Sequence, residues 1–254
     1  MKPFILLDPG HGGVINGIYQ TPGKRSPLWS DGSQLFEGEF NRAITQGISQ
    51  ALTLCGIENK IIVPELEDIS LPTRVRRANH VATQHPEHQC LLISVHANAG
   101  GGSGFEIFTS RGQTDSDIIA DHITHAFTQV FPNKPLRCDY SDGDSDKERG
   151  FYMLRKTRMA AVLTENFFMD NEVECYLILM SAKGRQKIID YHVRGILAWV
   201  REEGGSAGKQ GKQGKQGKQG KQGKQGKQGK QGKQGKQGTR VKQQVHNHLI
   251  KRGK

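Results

Sequence analysis

Over residues 208–237 the triplet Gly-Lys-Gln repeats ten times without interruption. The run holds no apolar side chain, so it has nothing to bury against an ordering cost of about 1–2 kcal/mol per residue. It therefore removes the last fifth of this 254-residue chain from any packed core. The expected layout is a folded domain over residues 1–203, a disordered linker over 204–238 and a short basic end over 239–254. Glycine at every third position has the collagen period. The triplets contain no proline, however, and each would add a lysine to the bundle, so an extended polycation is expected instead of a triple helix. Val241, Val245 and Leu249 recur at four-residue steps among Arg and Lys. That pattern fits either a short amphipathic helix on an anionic surface or a disordered end.

Charge divides at the same place. From residue 204 onward there are thirteen Lys, two Arg and no acid, a charge of +15. The whole chain carries +11, so the first 203 residues carry −4. The basic pI belongs to the tail, and the domain gives no sign of a specific nucleic-acid partner.

Within the domain, Phe4, Ile5, Leu6 and Leu7 form a short apolar run that ends in Asp8-Pro9-Gly10-His11-Gly12-Gly13. Four apolar residues bounded by turn formers predict a buried strand with His11 at its carboxyl end. Phe40, Ile44, Ile48, Ala51, Leu52 and Cys55 recur at helical spacing, with Gly56 as a stop. Residues 57–63 read as a strand. Ser70 and Pro72 open a second helix with Val75, Ala78 and Ala82 inward. Residues 90–95 are apolar throughout, as in a strand buried on both faces, and lead to His96 and Asn98. A strand over 105–109, a helix over about 115–131, strands over 151–154 and 161–164, a short helix capped by Asp170 and a last helix over about 182–203 complete the pattern. The fold class expected is α/β, one domain with a twisted, mostly parallel sheet flanked by helices on both faces. Cys55 and Cys90 read as small core residues; four cysteines without a close pair fit a reducing compartment but leave a disulfide open.

Three predicted strands end in an ionisable side chain, His11, His96 and Glu165, and Glu37 precedes the first helix. Two histidines and a carboxylate are a zinc set that leaves a fourth position for water, and a further carboxylate supplies a general base. On that reading His11, Glu37 and His96 are the ligands and Glu165 the base. Polar residues at strand ends line any α/β ligand site, so spacing alone leaves metal-binding and metal-free readings open.

The motifs themselves go further. Leu7-Asp8-Pro9-Gly10-His11-Gly12-Gly13, Phe36-Glu37, Ser94-Val95-His96-Ala97-Asn98-Ala99, Gly104-Phe105-Glu106, Leu154-Arg155 and Leu163-Thr164-Glu165-Asn166-Phe167 follow one another over about residues 4–200. In this order and approximate spacing the chain resembles the zinc-dependent N-acetylmuramoyl-L-alanine amidases of the amidase_3 family, which includes bacterial autolysins and phage endolysins. The resemblance implies one Zn²⁺ held by His11, Glu37 and His96, with Glu165 catalytic. The implied reaction is hydrolysis of the amide between N-acetylmuramic acid and L-alanine in peptidoglycan. It departs from the family where Gly38 and Glu39 follow the glutamate in place of the frequent lysine, which makes Glu39 a rival to Glu37; distance from the helix favours Glu37. Asn98 is a candidate donor to the substrate or a clasp for its own loop. Arg155 is a candidate to orient the stem peptide, or to pair with Glu165 or Asp170.

A phage-type endolysin acting in cell lysis is the expected role, as a monomer. With no leader peptide and no apolar run long enough to span a membrane, the chain is expected in the cytoplasm until it is released to the cell wall. The basic tail is expected to meet anionic envelope polymers or lipids. The rival readings are a non-catalytic polyanion-binding protein and a related zinc peptidase. Residues 142–146 begin like a calcium loop, but the EF-hand positions for Gly and Glu hold Lys147 and Met153, so a solvated surface loop is expected. His80, His85 and His88 read as polar helix-end residues.

Overall fold

Strand β1 (Lys2–Pro9) sends Ile5 and Leu7 to one side and Phe4 and Leu6 to the other, and all four are buried. A strand buried on both faces needs a layer of helices above and below it. The computed structural model describes residues 1–141 and 143–206, and the expectations for the repeat and the basic end lie outside the described residues.

After β1 come a small hairpin of β2 (Val14–Ile15) and β3 (Ile18–Tyr19), helix α1 (Glu37–Leu54), β4 (Glu58–Ile61), α2 (Leu71–Gln84), β5 (His88–Asn98) and β6 (Phe105–Thr109). Then follow α3 (Asp115–Val130), β7 (Lys147–Glu148), α4 (Tyr152–Lys156) and β8 (Ala160–Phe168). The described chain closes with α5 (Glu172–Glu174), which continues as a π-helical turn (Cys175–Leu179), and α6 (Ala182–Ser206). The main sheet has the order β4-β1-β5-β8-β6-β7. β4, β1, β5 and β8 are parallel; β6 runs antiparallel to β8, with β7 parallel to β6 at the edge. The expected α/β architecture, a mostly parallel sheet between helices, is what the chain forms.

The two faces have separate cores. Leu91, Ile93, Val95 and Val162 meet Phe40, Ile44 and Ile48 of α1, Ile119, Ile123 and Phe127 of α3 and Ile188, Tyr191 and Trp199 of α6. Leu6, Leu92 and Leu163 meet Val75, Ala78 and Val81 of α2 and Met153 and Leu154 of α4.

Several local expectations are corrected. Residues 151–154 are not a strand: Tyr152 starts the short helix α4, which buries Met153 and Leu154 on the α2 face. A four-residue apolar run has no period to separate the two, and β7 takes the sheet edge instead. Cys55 is exposed at the end of α1. Asn171, not Asp170, caps the short helix, with its side chain accepting from Glu174 N, while Asp170 accepts from Gly100 N and Gly101 N. α6 runs through Gly204 and Gly205 to Ser206.

Candidate active site

The alternation that puts Leu6, Leu92, Leu163 and Phe108 under α2 and α4 places Asp8, Ser94, His96, Glu165 and Glu106 on the same face, where the parallel strands end. His96 pairs across to Glu165, and Glu165 pairs across to Glu106, so one rung of the sheet carries all three. Just beyond it the register slips: His96 faces Glu165 but Asn98 faces Phe168. The extra residue on β8 is absorbed by Phe167, at φ +62°, which turns its ring into the α3 core while Asn166 Nδ2 donates to His96 O at 2.7 Å. Such a bulge fixes where a strand ends and how its last side chains aim.

His11 enters from the turn after β1. Its backbone is left-handed, φ +67°. The turn is pinned by side chains from two helices: Asn41 Nδ2 donates to Gly10 O, Arg42 Nη1 to His11 O at 2.9 Å, and Arg74 to both Pro9 O and His11 O. Arg74 is itself held by buried Asp8 at 2.7 Å, whose other oxygen accepts from Ser94 Oγ. Gly10 has to be glycine here, because a Cβ would lie 2.1 Å from His96 Cε1. Gly38 is equally constrained: a Cβ there would meet Gly12 O at 1.7 Å. This close approach of the turn to α1 explains why a bulky residue does not follow Glu37 in this chain.

Glu37 occupies the first turn of α1 and is buried. Its Oε1 lies 3.2 Å from His11 Nε2 and 3.0 Å from His96 Nδ1, and the two imidazoles meet edge to face at 5.0 Å. Burial alone would raise the Glu37 carboxyl, but the two imidazoles outweigh it and hold it well below the ordinary carboxylate range. Burial likewise opposes the charged form of His96, and the Glu37 carboxylate reverses that, leaving its pKa raised. Glu39 is exposed and turns away, accepting from Val14 N at 2.7 Å. The side chains of His11, Glu37 and His96 each offer one ligand atom, all within 4.8 Å of one another. Two imidazoles and one buried carboxylate, beside a glycine that leaves the His96 ring its space, fit a zinc ion and its preference for N and O donors.

Glu165 differs from every other acid near it. Its Oε2 is buried without a hydrogen-bond partner. Burial first, then the charges of Glu37 and Glu106, push its carboxyl up to about 7 against the opposing charges of His96 and Lys24. Glu106, its neighbour on the rung, is clamped: Arg137 Nε donates to it at 2.5 Å, Lys147 Nζ at 2.8 Å and Asn98 Nδ2 at 2.9 Å. Those donors overcome its burial and lower its pKa. One carboxylate is thus kept ionised and the other is poised, the arrangement that separates acid–base roles.

Of the six residues singled out from the sequence, the fold brings His11, Glu37 and His96 into contact, puts Glu165 on the next strand and ties Asn98 to Glu106. Arg155 lies elsewhere. It is exposed on α4, over the Tyr152 ring, and lines a cavity with Ser110, Arg111 and Ala160, at the end of β8 remote from Glu165. No hydrogen bond or ion pair joins its side chain to Glu165 or Asp170 among the described residues. A cavity of about 300 Å³ opens beside the histidines, bounded by Asp8, His11, Asp68, Arg74 and His96. Sequence reasoning missed Arg74, Arg42 and Asn41; the signal available was an arginine beside the inward positions Val75 and Ala78 of an amphipathic helix.

Residues 5–198 match the Amidase_3 family, described as N-acetylmuramoyl-L-alanine amidase. The N-acetylmuramoyl-L-alanine amidase CwlM of Bacillus licheniformis is 29% identical over 199 residues, 76% of this chain and 66% of that protein. The chain thus spans just under two thirds of that relative's length. The endolysin of Bacillus phage SPP1 is 28% identical over 215 residues, covering 82% of this chain and 71% of the endolysin. In fold, the chain is similar to an N-acetylmuramoyl-L-alanine amidase from Clostridium difficile 630, with a TM-score of 0.62 at 22% identity over 80% of this chain and 98% of the other.

Proposed function

We propose that this chain, which belongs to the Amidase_3 family of N-acetylmuramoyl-L-alanine amidases, hydrolyses the amide between N-acetylmuramic acid and L-alanine in peptidoglycan. The observation that carries the reading is the meeting of His11, Glu37 and His96 beside an unpartnered carboxylate on the same rung of the sheet. His11 Nε2, His96 Nδ1 and a Glu37 oxygen would hold a zinc ion. When bound, zinc supplies Lewis acidity toward a carbonyl and lowers the pKa of a water to about 7.

The remaining work falls to the protein. Glu165 takes the proton of the attacking water on Oε2, its free oxygen, and returns it to the nitrogen of the departing alanine. Its burial favours the protonated form, which suits the return of the proton, and its free oxygen suits the acceptance of one. Glu106 stays ionised under Arg137 and Lys147 and keeps Glu165 from losing its proton too readily. Arg74, Arg42 and Asn41 fix the turn that presents His11.

The similarity to the SPP1 endolysin supports a role in lysis. The +15 carried from residue 204 onward supports attraction to anionic envelope polymers or lipids, screened by salt. Among the described residues, no helix is long and apolar enough to cross a membrane. Product chemistry on purified peptidoglycan tests the activity. New free alanine amino termini without new reducing ends are expected; new reducing ends would indicate a glycosidase, and no product a non-catalytic protein. Truncation after Ser206 should weaken cell binding at low salt, and unchanged binding would remove the tail from the reading.

A further inference from the structure

A second acidic grouping lies away from the histidines, between the amino end of α3 and the loop before β7. Asp117, Asp144 and Asp146 bring one carboxylate oxygen each to within 4.8 Å of one another. Asp146 is only 1% exposed. Its Oδ2 accepts from Thr109 Oγ1 at 2.5 Å, but its Oδ1 is buried with no partner, and so is Oδ1 of Asp144. Asp117 is held in place by the α3 capping box, accepting from Thr114 N at 2.6 Å. Among the described residues no hydrogen bond or ion pair brings a Lys, Arg or His to any of the three. The nearby Lys147 is committed to Glu106.

Three buried or half-buried carboxylates at this separation cannot all ionise without a counter-charge. Burial and the neighbouring Asp144 and Asp117 accordingly push the Asp146 carboxyl up to about 7. Either a proton or a cation has to be shared among them. The donors are all hard oxygens, which disfavours zinc. They sit largely on a loop, which suits the larger and less demanding calcium shell better than the strict octahedron of magnesium.

We propose that Asp117, Asp144 and Asp146 form a calcium site that fastens the loop before β7 to α3. The bound ion would neutralise the orphaned oxygens of Asp144 and Asp146. It would also hold in place the segment from which Lys147 reaches Glu106. The site uses none of the residues assigned to amide hydrolysis, so its test is separate from that of the reaction.

The test uses the full zinc-loaded chain in calcium-free buffer, with thermal unfolding and calorimetric titration of calcium and, separately, of magnesium. One calcium per chain is expected, and a melting temperature raised by about 5–10 °C at calcium a hundredfold above its dissociation constant. Asp146→Asn keeps an acceptor for Thr109 while removing the charge. It should lose the calcium response yet melt no lower than the wild type without calcium, because it relieves the repulsion. A purely structural Asp146 would instead lower the melting temperature in both buffers. If Asp146→Asn does not fold, Asp144→Asn serves, since Asp144 is only half-buried and its Oδ1 has no hydrogen-bond partner among the described residues. Absence of saturable calcium binding by the wild type would overturn the site in favour of a shared proton. An undiminished response in the variants would place the ion elsewhere, and an equal response to magnesium would overturn the assignment to calcium.

Discussion

Replacing Gly10 by alanine adds a single methyl carbon 2.1 Å from His96 Cε1, 2.5 Å from Nδ1 and 2.6 Å from Nε2. Ordinary contact begins near 3.4 Å, so the ring or the turn has to retreat by about 1.3 Å. The turn is poorly placed to yield, because Arg74 and Asn41 hold the carbonyls of Pro9 and Gly10 and Arg42 holds that of His11. The ring therefore moves, and Nδ1 leaves its 3.0 Å position beside Glu37. Metal sites are sensitive to displacements of a few tenths of an ångström, and misplacing a catalytic group by 1 Å costs about 100-fold. Gly10→Ala should thus weaken zinc binding roughly 10- to 100-fold and lower kcat/KM by about 100-fold, with the far-ultraviolet dichroism unchanged. Zinc affinity is read by competition with a chromophoric chelator, and activity by release of dye-labelled fragments from peptidoglycan. Gly23→Ala is the control, because a Cβ there meets nothing within 4 Å. If Gly10→Ala bound zinc and turned over within twofold of the wild type, the packing of the turn against His96 would not be what positions the ligand.

Other outcomes follow from the same geometry. Glu165→Gln should keep its zinc and lose about 10²- to 10⁴-fold in kcat, whereas His11→Ala and His96→Ala should lose the metal itself, as measured by metal analysis of the purified variants. The Glu165 carboxyl, raised from 4.5 to about 7, makes the metal-free protein more stable below pH 4.5, a contribution lost as pH rises through 7. Metal-free Glu165→Gln should therefore match the wild type at pH 4.5 and exceed it at pH 8 by about 1–3 kcal/mol in urea unfolding; a variant less stable at pH 8 would contradict the sign. Arg74→Met keeps the aliphatic stem but strands buried Asp8, and should destabilise the fold by about 3–5 kcal/mol in the same assay.

Much of the site was legible because its residues stand at chain punctuation. His11 and His96 follow apolar runs and stop at glycines, and an α/β sheet presents ligands at the carboxyl ends of its strands. Glu165 could be read in the same way. The helix after Glu37 was clear from its period, though not that Glu37 itself begins it. Arg155 looked equally suitable in sequence. The run before it, residues 151–154, reads as a strand that would carry it along the sheet; in α4 it stands instead near the amino end of β8. Four apolar residues contain too little of either period to settle that choice.

The sequence by itself determined the class of fold, its longer helices and buried strands and which side chains stand at the strand ends, because those follow from hydrophobic period and turn chemistry over short distances. The Gly-Lys-Gln run carries ten lysines and no apolar side chain, which composition alone states. Only the tertiary structure decided which acids are paired and which is left without a partner. Glu37 and Glu39 are two residues apart, yet one turns inward between two imidazoles and the other outward to Val14. Glu106 and Glu165 are cross-strand neighbours, yet one is clamped by Arg137 and Lys147 and the other is left without a partner. Asp146 belongs to a loop whose composition reads as solvated, yet it is buried against Thr109. A carboxylate's chemistry is set by burial and by the charges that reach it from distant parts of the chain, and those distances exist only once the sheet has paired and its register is fixed.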